Sequence, residues 1–277
     1  MQQSHTPSNI SISPRNRHFD IADALTRDWF DNNAFITAWH NALSITFPLG
    51  EKFFIDSVRH FADQIEDEKL KSEIRGFCGQ EGFHRREHEL YNETLCKARG
   101  YDLELLEGRV AKGLGFARQR FDPMTHLAIT AALEHITAVM AEFHLRDDSP
   151  FRGKPEKVME ELWHWHGAEE LEHKSVAFDV YRAMNGTEKM RIAALRRSSV
   201  LIVWRALTGV VHMLRKDGLL FSPKVWKQGA KFLLGREGLF RSIWPSYKQF
   251  FQPNFHPWQI DTQNIVSEWE AGQPSAA

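Results

Sequence analysis

Glu81-Gly-Phe-His84 and Glu170-Leu-Glu-His173 are two copies of one short pattern, and upstream of each lies a lone glutamate, Glu51 and Glu134, on another predicted helix. Residues three apart share one helix face, so the glutamate and histidine of each pair can point inward together. Four carboxylates converging in an interior repel one another and resist burial unless cations neutralise them. Two divalent ions do this, with one glutamate from each of two helices and a Glu-x-x-His from each of the other two. The mixed oxygen and nitrogen donors suit iron best, with manganese or zinc as alternatives. The candidate metal ligands are therefore Glu51, Glu81, His84, Glu134, Glu170 and His173.

One Glu-x-x-His alone carries no weight, because this composition supplies about one by chance. A third pair, Glu161-Leu-Trp-His164, sits about half a turn away from the face of Glu170 and cannot join it. The weight lies in two pairs, two lone glutamates and their intervals. His88 and His166 extend the two stripes by one turn each and are read as groups that support a ligand or transfer a proton. His135 and His144 fall off the Glu134 face and are read as structural. Small residues beside Glu134 (Ala131, Thr137, Ala138, Ala141) either admit a substrate or O₂ or simply let helices pack closely. A rival pattern is His84-Arg-Arg-Glu87-His88, the H-x-x-E-H of inverted zinc proteases, with Glu87 as base. It leaves Glu51, Glu134, Glu170 and His173 unexplained, whereas the two-metal scheme makes Glu87 an exposed helix residue.

The elements that must position these groups are helices, since apolar residues recur at helical spacing and strand-like alternation is scarce. A helix is predicted over about 33–46, a break or kink at Pro48 and Gly50, and a continuation through Glu51 to about 65. Others follow over about 68–98, 103–119, 122–146 and 155–184, that over 122–146 opened by Asp122-Pro123. Thirty residues separate Glu51 from Glu81 and 36 separate Glu134 from Glu170, which suits helix hairpins. The 53 residues from Glu81 to Glu134 leave room for an intervening helix and a long crossover. The expected fold is all-α: a ferritin-like four-helix bundle with a long central crossover and additional C-terminal helices over about 187–216, 223–234 and 237–250.

The division expected is a disordered polar tail (1–19), a metal-binding bundle (20–190), a basic, aromatic-rich helical extension packed on it (191–250) and a C-terminal tail (251–277). The net charge of −1 hides an asymmetry, because residues 191–250 hold twelve Lys/Arg against Asp217 and Glu237. That surface could meet an anionic membrane or an acidic partner, or it could be an ordinary helical layer. No nucleic-acid module is recognisable. Val200 to Leu214 is too short and too charged to span a membrane. The N-terminus lacks a secretory signal, so a cytoplasmic protein is expected, peripheral at the inner membrane surface if the basic helices bind lipid. Cys78 and Cys96 lie on one predicted helix, roughly 27 Å apart, and are read as free thiols.

The segments FPLGEKFFIDSVRHF (47–61), QEGFHRREHELYN (80–92), ALEHITA (132–138) and WHGAEELEHKSVAFDVY (165–181) resemble the signature blocks of a bacterial family of predicted metal-dependent hydrolases. The resemblance covers roughly residues 20–250, and that family is similar in turn to the ferritin-like superfamily. Resemblance to ferritin-like di-iron proteins makes Glu51 and Glu134 terminal ligands, Glu81 and Glu170 bridging ones, and His84 and His173 the imidazole ligands. Two reactions stay open. One is hydrolysis by a metal-activated water, with His88 or His166 moving a proton. The other, favoured by the donor set, is O₂-dependent oxidation of a small or apolar substrate. Iron storage without catalysis is a third expectation.

Overall fold

The computed structural model describes residues 3–149 and 151–272. It is all-helical, and among the described residues the only β-type pairing is an isolated bridge between Phe30 and Pro155. Helix α1 (Ala34–Ala62) lies against α2 (Glu68–Arg99). After α3 (Leu103–Arg120) crosses over, α4 (Pro123–Leu145) pairs with α5 (Lys157–His173) and α6 (Val176–Ala183). These make the bundle. The C-terminal layer is α7 (Glu188–Lys216) along α1 and α4, α8 (Pro223–Leu234) on α1, α9 (Leu239–Tyr247) on α4, and α10 (Gln263–Ala271) against α5.

Helix starts follow local chemistry. Asn33, Asp67, Asp102, Asp122 and Thr187 each accept a hydrogen bond from the backbone N–H three residues on, satisfying a donor that the helix itself cannot. Gly100 ends α2 at φ 67°, a left-handed conformation that disfavours other residues.

The break expected at Pro48 does not occur, and α1 runs through it. Proline lacks an N–H, so the Ser44 carbonyl four residues upstream loses its helical partner. The Asn92 side-chain amide of α2 donates to that carbonyl at 3.0 Å, which satisfies it from outside. The single helix expected over 155–184 is instead two, interrupted at Lys174 and Ser175 immediately after His173. Both interrupting side chains face the C-terminal segment: Lys174 Nζ donates to the Ile260 carbonyl at 2.7 Å, and Ser175 Oγ accepts from Trp258 at 3.0 Å.

Among the described residues, the N-terminal segment expected as a disordered tail packs on the bundle. Residues 3–19 form an extended strap over α2, α5 and α6, in which Ile12 and Pro14 cross α2 where a Cβ on Gly76 or Gly79 would come within 2.4 Å of them. Thr6 is buried, and Arg15 reaches three carboxylates. Residues 251–272, expected as a tail, carry α10 and bury Phe255, Ile260 and Val266.

Along the bundle axis two large apolar clusters are separated by a polar layer. One is built on Trp29, Phe35, Trp39, Tyr91 and Phe143, the other on Phe53, Val58, Phe77, Leu127 and Phe178. Burying each such aromatic side chain contributes roughly 2 to 3 kcal/mol. Those clusters stabilise the helices that hold the costly polar layer between them.

Candidate metal centre

The polar layer holds all six candidate ligands, each no more than 3% exposed: Glu51 on α1, Glu81 and His84 on α2, Glu134 on α4, and Glu170 and His173 on α5. Their donor atoms fall into overlapping trios within 4.8 Å of one another, Glu51 with Glu81 and His84, and Glu81 with Glu134 and His173. Glu81 belongs to both trios. Glu170 joins a third with His84 and His166 and lies 3.7 Å from His173 Nε2.

Nine donor atoms of these six residues have no hydrogen-bond partner: both oxygens of Glu51, Glu81 and Glu134, Glu170 Oε2, His84 Nδ1 and His173 Nε2. Leaving so many buried polar atoms unsatisfied is expensive unless something binds them all. Divalent cations fit this set.

The electrostatics of the bare protein say the same. Burial, then repulsion from Glu81, Glu170 and Glu134, pushes Glu51 well above the carboxylate range. Burial and Glu170 push Glu134 up to about 8. Burial alone would also raise Glu170, but His173 and His166 outweigh it and hold it well below its usual value. Burial lowers His173, yet Glu134 and Glu170 prevail and raise it well above the usual imidazole value. A metal-free centre thus holds protons that cations would displace.

Two further side chains, Glu169 and Gln80, orient the imidazoles, and neither is evident from the ligand spacing. Glu169 accepts from His84 Nε2 at 2.9 Å, which leaves His84 Nδ1 bare toward the carboxylates. Gln80 Oε1 accepts from His173 Nδ1 at 3.0 Å, leaving Nε2 bare, and the Gln80 amide donates to Glu172 at 2.7 Å. Such outer partners set tautomer and ring orientation. Glu169 and Glu172 are fully buried, and Arg15 of the strap binds both, at 3.2 and 2.6 Å. The available sequence signal was the run Glu169-Glu170-Leu-Glu172, too many acids for the buried side of one helix without a partner.

His88 and His166 are fully and nearly fully buried, and they touch, with His88 Nε2 2.8 Å from His166 Nδ1. His135 donates to the Tyr247 carbonyl, and His144 faces His40, away from the ligands. Glu87 is not the exposed residue expected: it is 1% exposed, beneath the strap, bound to Arg86 and His18. Among the described residues no metal-binding cluster contains it, so His84, Glu87 and His88 do not assemble a zinc-protease site.

An apolar cavity of about 630 Å³ lies between α1, α3, α4 and α7 and reaches the centre at Glu51. Phe47, Leu114, Leu133, Ala193 and Ile202 help to line it, and the Phe47 ring also packs on His88 and His166.

Fold and site together define a helical protein whose buried Glu/His clusters can hold metal. The chain belongs to the family of predicted metal-dependent hydrolases, whose model matches residues 13–261. Comparison with curated proteins and with solved structures gives no match.

Proposed function

We propose that the centre binds two metal ions, iron best, and that the protein is an O₂-dependent oxidase or oxygenase acting on an apolar small molecule. The observation that carries this is the junction at Glu51 between a four-carboxylate, histidine-containing cluster and a 630 Å³ apolar cavity. Glu51, Glu81, Glu134 and Glu170 would hold the ions with His84 and His173, and Glu81, which recurs in two of the donor trios, would serve both. Bound iron would supply the electrons that reduce O₂ and the oxidising power passed to substrate. The rest falls to the chain: Phe47, Leu133 and Ile202 exclude water and hold an apolar group against Glu51, while Glu169 and Gln80 keep the imidazole lone pairs inward.

Hydrolysis is the second reading, favoured by the family description. It asks for polar groups beside the scissile bond. The cavity wall offers mostly Thr46, Thr125, Thr137 and Ser198 besides Glu51 and the cationic side chains at its edge, which supports oxidation over hydrolysis. Lys189, Arg197 and Arg205 border the cavity, and α7 exposes Val200, Leu201 and Trp204 nearby. Basic and apolar groups side by side support contact with an anionic membrane from which an apolar substrate could enter. α4 is the one described helix long and apolar enough to cross a membrane, and it is a core helix carrying Glu134.

The test is to load the metal-free chain anaerobically with Fe(II) or Zn(II) and then add air. O₂ uptake with an absorption change in the iron form only is the expected result. Ester or amide cleavage by the zinc form, with no O₂ uptake by the iron form, would replace oxidation with hydrolysis.

A further inference from the structure

We propose that His166 is an additional metal ligand of this centre through Nε2, and that Pro48, Asn92, Ser44 and His88 are positioning residues that fix its tautomer. The inference rests on the metal-centre reading above and goes beyond its six ligands.

The chain of hydrogen bonds allows one direction. Pro48 frees the Ser44 carbonyl, and Asn92 Nδ2 donates to it at 3.0 Å. This orients the Asn92 amide, so its Oδ1 faces Ser44 Oγ at 2.7 Å and takes the single hydroxyl hydrogen. His88 Nδ1, 2.8 Å from the same hydroxyl, must then be the donor. His88 is fully buried and hydrogen-bonds Ser44 and His166 but no carboxylate that would hold a charge there, so the ring carries its one hydrogen on Nδ1 and presents a lone pair at Nε2. That lone pair accepts from His166 Nδ1 at 2.8 Å. Both His88 nitrogens are now used, which excludes His88 as a ligand although it lies near Glu51.

With its Nδ1 donating to His88, His166 turns Nε2 toward Glu170 Oε1, 3.1 Å away. A ring proton fills that contact in the metal-free chain, and a metal ion would take its place, as at the other ligands of the centre. The same trio includes His84, whose inward nitrogen has no hydrogen-bond partner. All three imidazoles therefore share one pattern: the outward N–H donates to a protein acceptor (Glu169, Gln80 or His88) and the inward nitrogen faces the carboxylates of the centre. His166 and His84 stack face to face at 4.1 Å, which brings their inner nitrogens to one side.

The test uses the full chain, ¹⁵N-labelled at histidine and titrated with Zn(II) as a diamagnetic probe. Three side chains should acquire a metal-bound nitrogen: His84 through Nδ1, and His173 and His166 through Nε2. The His166 resonances are identified by their loss in His166→Gln. Ser44→Ala, which removes the acceptor of His88, should weaken zinc binding about 10-fold in competition with a chelator while leaving helicity intact. If zinc shifts only His84 and His173, the inference falls and the six-ligand centre stands. If zinc shifts no histidine, the metal-centre reading falls and takes the inference with it. Unchanged zinc affinity in Ser44→Ala would remove the positioning chain.

Discussion

Replacing Arg15 with alanine should loosen the metal centre from outside it. The guanidinium is about one quarter exposed and binds Glu169 at 3.2 Å, Glu172 at 2.6 Å and the half-exposed Glu270 at 2.9 Å. Burial pushes Glu169 and Glu172 up, and Arg15 is the principal group working against that shift. Removing one partner of a buried pair costs about 3 to 5 kcal/mol because the other charge is left uncompensated. Solvent reaching Arg15 and the protonation open to the two acids reduce this to about 2 to 3 kcal/mol. In a protein of this size that is a fall in melting midpoint of about 4 to 12 °C. Because Glu169 orients His84, and Glu172 holds the Gln80 that orients His173, metal affinity should also drop about 10- to 100-fold. Glu270→Gln is the control, losing only an exposed contact worth less than about 1 kcal/mol. Thermal unfolding and chelator competition read both effects. A midpoint within about 1 °C of the parent and unchanged metal affinity would refute the coupling of strap to centre.

Glu81→Ala or Glu170→Ala should abolish loading with two ions, whereas Glu87→Ala, lying outside every cluster, should retain both ions and lose only some stability; metal analysis of the purified variants decides. Ala193→Phe, which fills the cavity, should weaken binding of an apolar probe while leaving metal content unchanged, and joint loss of both would disconnect cavity from centre. Burial holds His40 down at about 3 and His144 at about 4, against an unfolded value near 6.5. Between those values the unfolded chain binds more protons, so stability should fall as pH drops from about 6.5 towards 4. His144→Phe should flatten that slope in denaturation measured across the range, and an unaltered slope would assign the loss to other groups.

How much was legible in the sequence follows the range of each interaction. Helices, their caps and the inward faces of Glu81/His84 and Glu170/His173 depend on neighbours within a few residues, which periodicity reports. The strap did not announce itself. Its residues are polar and aperiodic, and its order comes from Arg15 meeting Glu169 and Glu172 more than 150 residues away in sequence. Pro48 misled for a related reason, since a proline breaks a helix locally but Asn92, 44 residues on, satisfies the carbonyl it frees. Glu87 was expected on the surface because the two-metal scheme leaves it off the ligand face, and the segment that covers it was expected to be a disordered tail. His166 needed the whole chain of donors and acceptors before the direction of its lone pair could be assigned.

Metal analysis of the chain purified from iron-supplemented cells, with Glu81→Ala prepared in parallel, decides whether the buried Glu/His layer is a two-metal centre. Two metal ions per chain are expected in the parent and neither in the variant, because Glu81 lies in two of the ligand trios. A parent that binds no metal, or a variant that keeps two ions, would contradict a two-metal centre there.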